Sequence, residues 1–265
     1  MRLISLYSGS SGNCILLDYD GGAFLVDAGN SGVRIREALR SIGMDMDRVR
    51  AILVTHEHSD HIQAVGILAR KFSLPVYLSE PTYMGMEGNL KKVKDSSIHF
   101  VDKDRSFEID GIEVTPFALS HDAADPVGYR FYDGKTAAAV ATDTGMMTLQ
   151  AQSVLKGCRD IILESNHDLD MLMRGSYPAA LKQRILSDKG HLSNDDAASF
   201  CASLVESGTE HICLGHLSKE NNTPMIALNT VNGALESNGM KRGRDYTIQV
   251  ASRDFVSDPV GEIID

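Results

Sequence analysis

The chain has 265 residues, a formal net charge of −10, 43% hydrophobic and 23% charged residues, an ordinary balance for a globular protein able to bury a core without disulfide staples. It has no apolar run near the ~18 residues that cross a bilayer, nor the apolar leader and cleavage site of a signal peptide, so a cytoplasmic protein with no membrane partner is expected. The acidic balance argues against broad, non-specific nucleic-acid binding, which leaves a basic face, but it permits a local cationic patch or a bound metal at one site.

In chain order, Leu3–Tyr7 reads as a first strand, followed by the turn-rich loop Ser8-Gly9-Ser10-Ser11-Gly12-Asn13. Cys14–Leu17 and Ala23–Val26 continue a sheet that stops at Asp27-Ala28-Gly29-Asn30. A helix is expected over Val33–Ile42. Arg50–Thr55 is a short apolar run of the buried-strand type. A further helix shows Ile62, Val65, Leu68, Ala69 and Phe72 on one face and is ended by Pro75, with a strand at Val76–Leu78. The middle is strand-rich: Ile112–Phe117, Gly128–Tyr132, Thr136–Ala141 and Ile161–Leu163. Helices follow near Pro178–Leu186, Asn194–Glu206 and Pro224–Glu236, the last with Thr223 as N-cap, Pro224 in the first turn and Gly239 past its end. Tyr246, Ile248 and Val250 alternate in a final strand. No repeat, linker or low-complexity tract interrupts the chain, and one α/β domain over residues 1–265 is expected, with sheets packed together and covered by helices.

The chemistry concentrates in His56-Glu57-His58-Ser59-Asp60-His61, directly after a buried strand. Four potential ligands within six residues are hard to obtain by chance from nine histidines in the whole chain. Imidazole and carboxylate together suit zinc, manganese or iron. An extended backbone turns His56 and His58 to one side, while Asp60 and His61, at the start of a helix, can face a neighbouring second ion. The remaining ligands must come from distant sequence.

His-x-His-x-Asp-His after an apolar strand resembles the signature of the metallo-β-lactamase superfamily. Val26-Asp27-Ala28-Gly29, Leu119-Ser120-His121, Ala141-Thr142-Asp143-Thr144-Gly145 and Leu214-Gly215-His216-Leu217-Ser218 follow in the order that family shows. The resemblance implies an αββα sandwich with its site at one edge. It implies two divalent metal ions, with His56, His58 and His121 on the first, Asp60, His61 and His216 on the second, and Asp143 bridging. A water or hydroxide between the ions would be the nucleophile, with Asp60 counted among the catalytic residues. Asp27 reads as a residue that orients ligands. His191 competes with His216 for the last ligand position.

The resemblance is most specific to the YycJ/WalJ-like branch. It is carried by Ser10-Ser11-Gly12-Asn13, by the segment Ser120 to Tyr129, by Glu164-Ser165-Asn166-His167-Asp168 and by His216 to Asn222. That branch implies a nuclease with 5′–3′ exonuclease activity on DNA. By resemblance to nuclease and phosphodiesterase branches, His191 is the general acid and Glu164 its partner, since a departing alkoxide needs a proton. The competing reading makes Ser193 and Asp196 a helix cap and His191 incidental. Ser11 and Asn13 of the glycine-bearing loop, His167 and Lys219 are candidate substrate contacts. His167 could equally touch metal or only brace its loop, and the glycine-bearing loop could equally be a plain turn.

The short interval from His121 to Asp143 leaves no room for a tRNA-gripping arm, and there is no large inserted domain of the β-CASP type. Two other functions remain open at this point: hydrolysis of a small molecule such as a cyclic phosphodiester, lactone or thioester, and a metal-binding regulatory module without turnover. His99, His211 and the methionines read as structural, and Lys91-Lys92-Val93-Lys94 as a solvated face. The four cysteines form no C-x-x-C pair and are expected to be reduced and buried.

Overall fold

The computed structural model describes residues 1–262. Two mixed sheets form its centre. The first runs in spatial order β1 (Arg2–Tyr7), β2 (Cys14–Tyr19), β3 (Gly22–Val26), β4 (Val49–Leu53), β5 (Val76–Leu78) and β6 (Ile98–Phe100). The second runs from β7 (Phe107–Ile109) through β8 (Ile112–Ala118), β9 (Val127–Tyr132), β10 (Ala137–Ala141), β11 (Asp160–Glu164) and β12 (His211–Gly215) to β13 (Thr247–Val250). Each sheet has an antiparallel side, β1 to β3 and β7 to β10, and a parallel side, β3 to β6 and β10 to β13.

The helices are α1 (Gly32–Ser41), α2 (Ser59–Ile62), α3 (Val65–Phe72), α4 (Glu80–Gly85), α5 (Glu87–Leu90), α6 (Leu149–Leu155), α7 (Leu169–Arg174), α8 (Ala179–Ile185), α9 (Asn194–Glu206) and α10 (Pro224–Ser237). Three apolar clusters follow from this layering. Ile15, Leu17, Phe24 and Leu53 meet Tyr129, Phe131, Val140 and Ile162 between the sheets. Leu16, Leu25 and Ile52 face Ile35, Leu39 and Leu68 of α1 and α3. Ala139, Ile161 and Leu214 face Ala151, Cys201 and Val231 of α6, α9 and α10. Strands with both faces covered carry continuous rather than alternating apolar residues, and β2, β3, β10 and β11 are buried along their whole length. The result is the expected αββα sandwich. All four cysteines are free and buried.

Several expected elements were shorter or divided. The helix anticipated from Ile62 to Phe72 is two, because Gln63 and Ala64 interrupt it and the Ala64 N–H bonds the Ala28 carbonyl. Its end is set by Ser73 in the left-handed conformation, φ 54°, rather than by Pro75. The short strands β6 and β7 and helices α4, α6 and α7 had no strong periodic pattern to announce them. No helix of the described residues is long and apolar enough to cross a membrane.

Candidate metal centre

The site lies beyond the carboxyl ends of parallel strands from both sheets, where side chains from successive crossovers converge. Asp27 follows β3, Thr55 and His56 follow β4, Asp143 follows β10, Ser165 follows β11 and His216 follows β12. His121 comes from the loop after β8. Asp27, Asp143 and His216 all hold left-handed backbone, with φ of 62°, 65° and 53°. Such a conformation costs a non-glycine residue about 1–3 kcal/mol, and it clusters where surrounding structure fixes a functional side chain. Here it turns each side chain inward at the strand end. The His216 N–H donates to Ser8 Oγ at 2.7 Å, which holds that turn.

Backbone packing is equally tight. A Cβ on Gly29 would lie 1.6 Å from the Asp60 carbonyl oxygen, which already accepts the Asn13 N–H at 2.7 Å. Only glycine lets the Asp27 turn approach the His-rich segment this closely.

The polar geometry falls into two adjoining groups. Ligand atoms of His56, His58 and His121 lie within 4.8 Å of one another, as do those of His56, His61 and Asp143. Around His61 Nε2, Asp143 Oδ2 lies at 3.3 Å and Asp60 Oδ2 at 3.6 Å. His216 Nδ1 is 3.1 Å from the same Asp143 oxygen, yet neither atom makes a hydrogen bond of acceptable alignment. His56 Nε2 is likewise buried without a hydrogen-bond partner among the described residues. Buried orphan atoms of this kind are rare. A convergent set of imidazole nitrogens and one central carboxylate fits a pair of divalent cations.

The supporting hydrogen bonds fix the ligand rings. His61 Nδ1 donates to Asp27 Oδ2 at 2.7 Å, and Asp27 also accepts Thr55 N–H and Thr55 Oγ1–H at 2.8 and 2.7 Å. His121 Nδ1 donates to the Gly190 carbonyl at 3.0 Å. In both rings Nε2 is left facing inward. Electrostatics follow from the crowding. Burial opposes charge on Asp143, but His216 and His61 hold its carboxyl well below the usual range. Burial opposes a proton on His61 too, but Asp143 and Asp27 raise it well above an ordinary imidazole. His56 and His121 are pushed down, chiefly by burial. A bound cation would take the place of the His61 proton.

Glu164 and His191 meet beside this centre. His191 Nδ1 is 2.7 Å from Glu164 Oε1, and Glu164 Oε2 accepts the N–H groups of Thr144 and Leu192. Burial opposes a proton on His191, but Glu164 raises it to about 9. His191 stacks on His216 with ring centroids 5.3 Å apart. Ser193 also caps α9, its Oγ accepting the Asp196 N–H at 3.0 Å, so the helix cap stands beside the Glu164–His191 pair. Glu164, His191, Asp143 and His216 form a further group of potential ligands, which keeps His191 beside His216 as an alternative donor.

The expected substrate contacts fare differently. Asn13 is buried, and its amide donates to Asp60 Oδ2 at 3.2 Å and lies 2.9 Å from His61 Nε2, so it faces the candidate ligands instead of solvent. Ser11 lines a neighbouring groove with Gly29, Ser59 and Gln63. His167 is 1% exposed, is not among the residues that line the cavity, and its backbone bridges to Ser193. Lys219 is exposed and is not among the residues that line the cavity, although Ser218 beside it is. Two further contacts were not read from the sequence. Glu57 Oε1 accepts the Ala124 N–H at 2.8 Å, tying the His-rich segment to the His121 loop. Arg253 donates to the Leu217 carbonyl and packs under Gly9, bracing two rim loops from the far end of the chain.

The beta-lactamase superfamily domain matches residues 23–216, the span that holds the whole cluster. The chain is 42% identical over 246 residues to the exodeoxyribonuclease YycJ of Bacillus anthracis, covering 92% of each. It is 40% identical over 260 residues to the exodeoxyribonuclease WalJ of Streptococcus pneumoniae, covering 97% of this chain and 96% of that one. Among solved structures, zinc-bound PqqB of Methylobacterium extorquens shares the fold, with a TM-score of 0.69 at 15% identity, covering 97% of this chain and 100% of the other.

Proposed function

The chain belongs to the beta-lactamase superfamily, in the company of the YycJ and WalJ exodeoxyribonucleases, and on that premise we propose that it shortens DNA from a 5′ end at a site holding two divalent metal ions. It is a metal-dependent hydrolase of phosphodiester bonds. The observation that carries the reading is the hydrogen-bonded Glu164–His191 pair, set 4.0 Å from Asp143 and opening on the cavity that the candidate ligands line.

His56, His58 and His121 would hold one ion, Asp60, His61 and His216 the other, with Asp143 shared. Ions there would polarise a phosphate and make a water acidic enough to attack near neutral pH. The protein's own groups do the rest. Asp27 and the Gly190 carbonyl keep His61 and His121 in one tautomer and one orientation. Glu164 takes the Nδ1 side of His191, leaving the other ring nitrogen to donate a proton to the departing oxygen. Asn13 steadies Asp60.

The test is hydrolysis of end-labelled DNA and RNA, alongside bis(p-nitrophenyl) phosphate, with Mn²⁺ or Zn²⁺, by wild type and Asp143→Ala. Stepwise loss from the 5′ end of DNA by wild type alone supports the reading. Activity confined to the small ester would move the substrate to small phosphodiesters, and silence on all three would refute it.

A further inference from the structure

The cavity over the candidate metal centre has two unlike walls. One is the cluster itself, with Asp60, His121, Asp143 and His216. The other is the α7–α8 segment, which contributes Tyr177, Leu181, Arg184 and Ile185. The volume between them is about 240 Å³. The far wall is apolar apart from the Tyr177 hydroxyl and the Arg184 guanidinium, and Arg184 is the one Lys or Arg lining the cavity among the described residues.

That wall is built as part of the site. A Cβ on Gly190 would lie 2.1 Å from the Ile185 carbonyl oxygen, so α8 ends directly against Gly190. The His191 N–H donates to that carbonyl at 3.0 Å, while the Gly190 carbonyl accepts His121 Nδ1. Arg184 Nε donates to Asp122 Oδ2 at 2.5 Å, next to His121 in sequence. Lys182 Nζ donates to the Met173 carbonyl at 2.7 Å, bracing α8 on α7. The wall therefore stands at a set distance from the reacting groups.

Resting on the nuclease reading, we propose that this wall is the subsite for the terminal nucleotide: its base stacks on Tyr177 and packs against Leu181 and Ile185, and its phosphate meets Arg184. The ring of Tyr177 and the aliphatic side chains of Leu181 and Ile185 can take any base by its π-face, while the lining's other polar side chains, Ser10, Asn166 and Ser218, lie outside this α7–α8 wall. A degradative exonuclease needs that indifference. The small cavity, bounded on one side by α8, favours one nucleotide over a continuing strand.

The experiment compares kcat/KM on single-stranded DNA whose terminal residue is intact or abasic, for wild type, Tyr177→Ala, Tyr177→Leu and Tyr177→Phe. Base–aromatic stacking measured by alanine substitution corresponds to about 5- to 150-fold. Wild type and Tyr177→Phe should lose about that factor on the abasic end. Tyr177→Ala and Tyr177→Leu should start lower and lose little more. An equal abasic penalty in all four proteins, or none in wild type, overturns the subsite while leaving the nuclease reading intact. Failure of wild type to shorten DNA at all overturns both. The abasic penalty is a ratio measured within each protein, so a lower folded fraction in the alanine or leucine variant cancels from it.

Discussion

Asp27 spends both carboxylate oxygens on the His-rich segment: Oδ2 accepts His61 Nδ1–H at 2.7 Å and Oδ1 accepts the Thr55 N–H at 2.8 Å. One side chain thus sets the tautomer of a candidate ligand and the backbone that precedes it. Removing such a partner typically costs 10- to 100-fold in metal affinity. Asp27→Asn should weaken one of two metal-binding steps by about that factor in a calorimetric titration. Two unchanged steps would remove Asp27 from the metal's support.

Glu57 does the corresponding work for the other group. Its bond to the Ala124 N–H joins the turn bearing His56 and His58 to the loop bearing His121. A neutral amide retains an acceptor there, whereas alanine does not. Glu57→Ala should lower metal affinity by about tenfold, and Glu57→Gln should retain most of it. Equal loss in both would show that charge matters and the loop tether does not.

Much of this was legible in the sequence because the site is assembled from strand ends. Apolar runs such as Ile52–Val54 and Ile161–Leu163 mark buried strands, and the residue types just beyond them carry the chemistry. What stayed hidden depends on packing across long separations. Asn13 is a polar residue in a glycine-bearing loop, which reads as exposed and available. Burial against Asp60, 47 positions away, turns its amide inward. His167 is a histidine within a motif, yet the pairing of its backbone with Ser193 buries it. Arg253 and Tyr177 stand in no pattern at all, since their positions beside the site come from where the segment after β13 and the α7–α8 connection settle.

Metal removal should be visible in stability. The metal-free protein keeps His56 Nε2, Asp143 Oδ2 and His216 Nδ1 buried without hydrogen-bond partners, which favours the bound state. Free metal at a hundredfold excess over Kd adds about 2.7 kcal/mol, or roughly 5–10 °C in Tm for a domain of this size. Scanning calorimetry with Mn²⁺ or Zn²⁺ against a chelator reads this directly. An unchanged Tm across a titration that shows metal bound would mean the site also binds metal when unfolded.

Gly29→Ala probes the closeness of the Asp27 turn to Asp60. The added Cβ would fall 1.6 Å from the Asp60 carbonyl oxygen, and no side-chain rotation can relieve a clash with backbone. Asp60 must move, taking its carboxylate away from His61. The variant should lose a metal-binding step and about 1–3 kcal/mol of stability, the range for overpacking a filled interior. Wild-type metal stoichiometry in a folded Gly29→Ala protein would show that Asp60 is no ligand.

His191 separates proton donation from metal binding. Its Nδ1 is committed to Glu164 at 2.7 Å, and Glu164 is itself held by the Thr144 and Leu192 N–H groups, so the ring's position does not depend on a cation. A positioned general acid contributes about 10²- to 10⁴-fold. His191→Ala should therefore lower kcat on DNA by that order while retaining full metal content. The loss should be much smaller on bis(p-nitrophenyl) phosphate, whose acidic leaving group departs without a proton. Loss of metal with loss of turnover would instead make His191 a ligand beside Asp143, and His216, which stacks on it, would then be the residue to test as the proton donor.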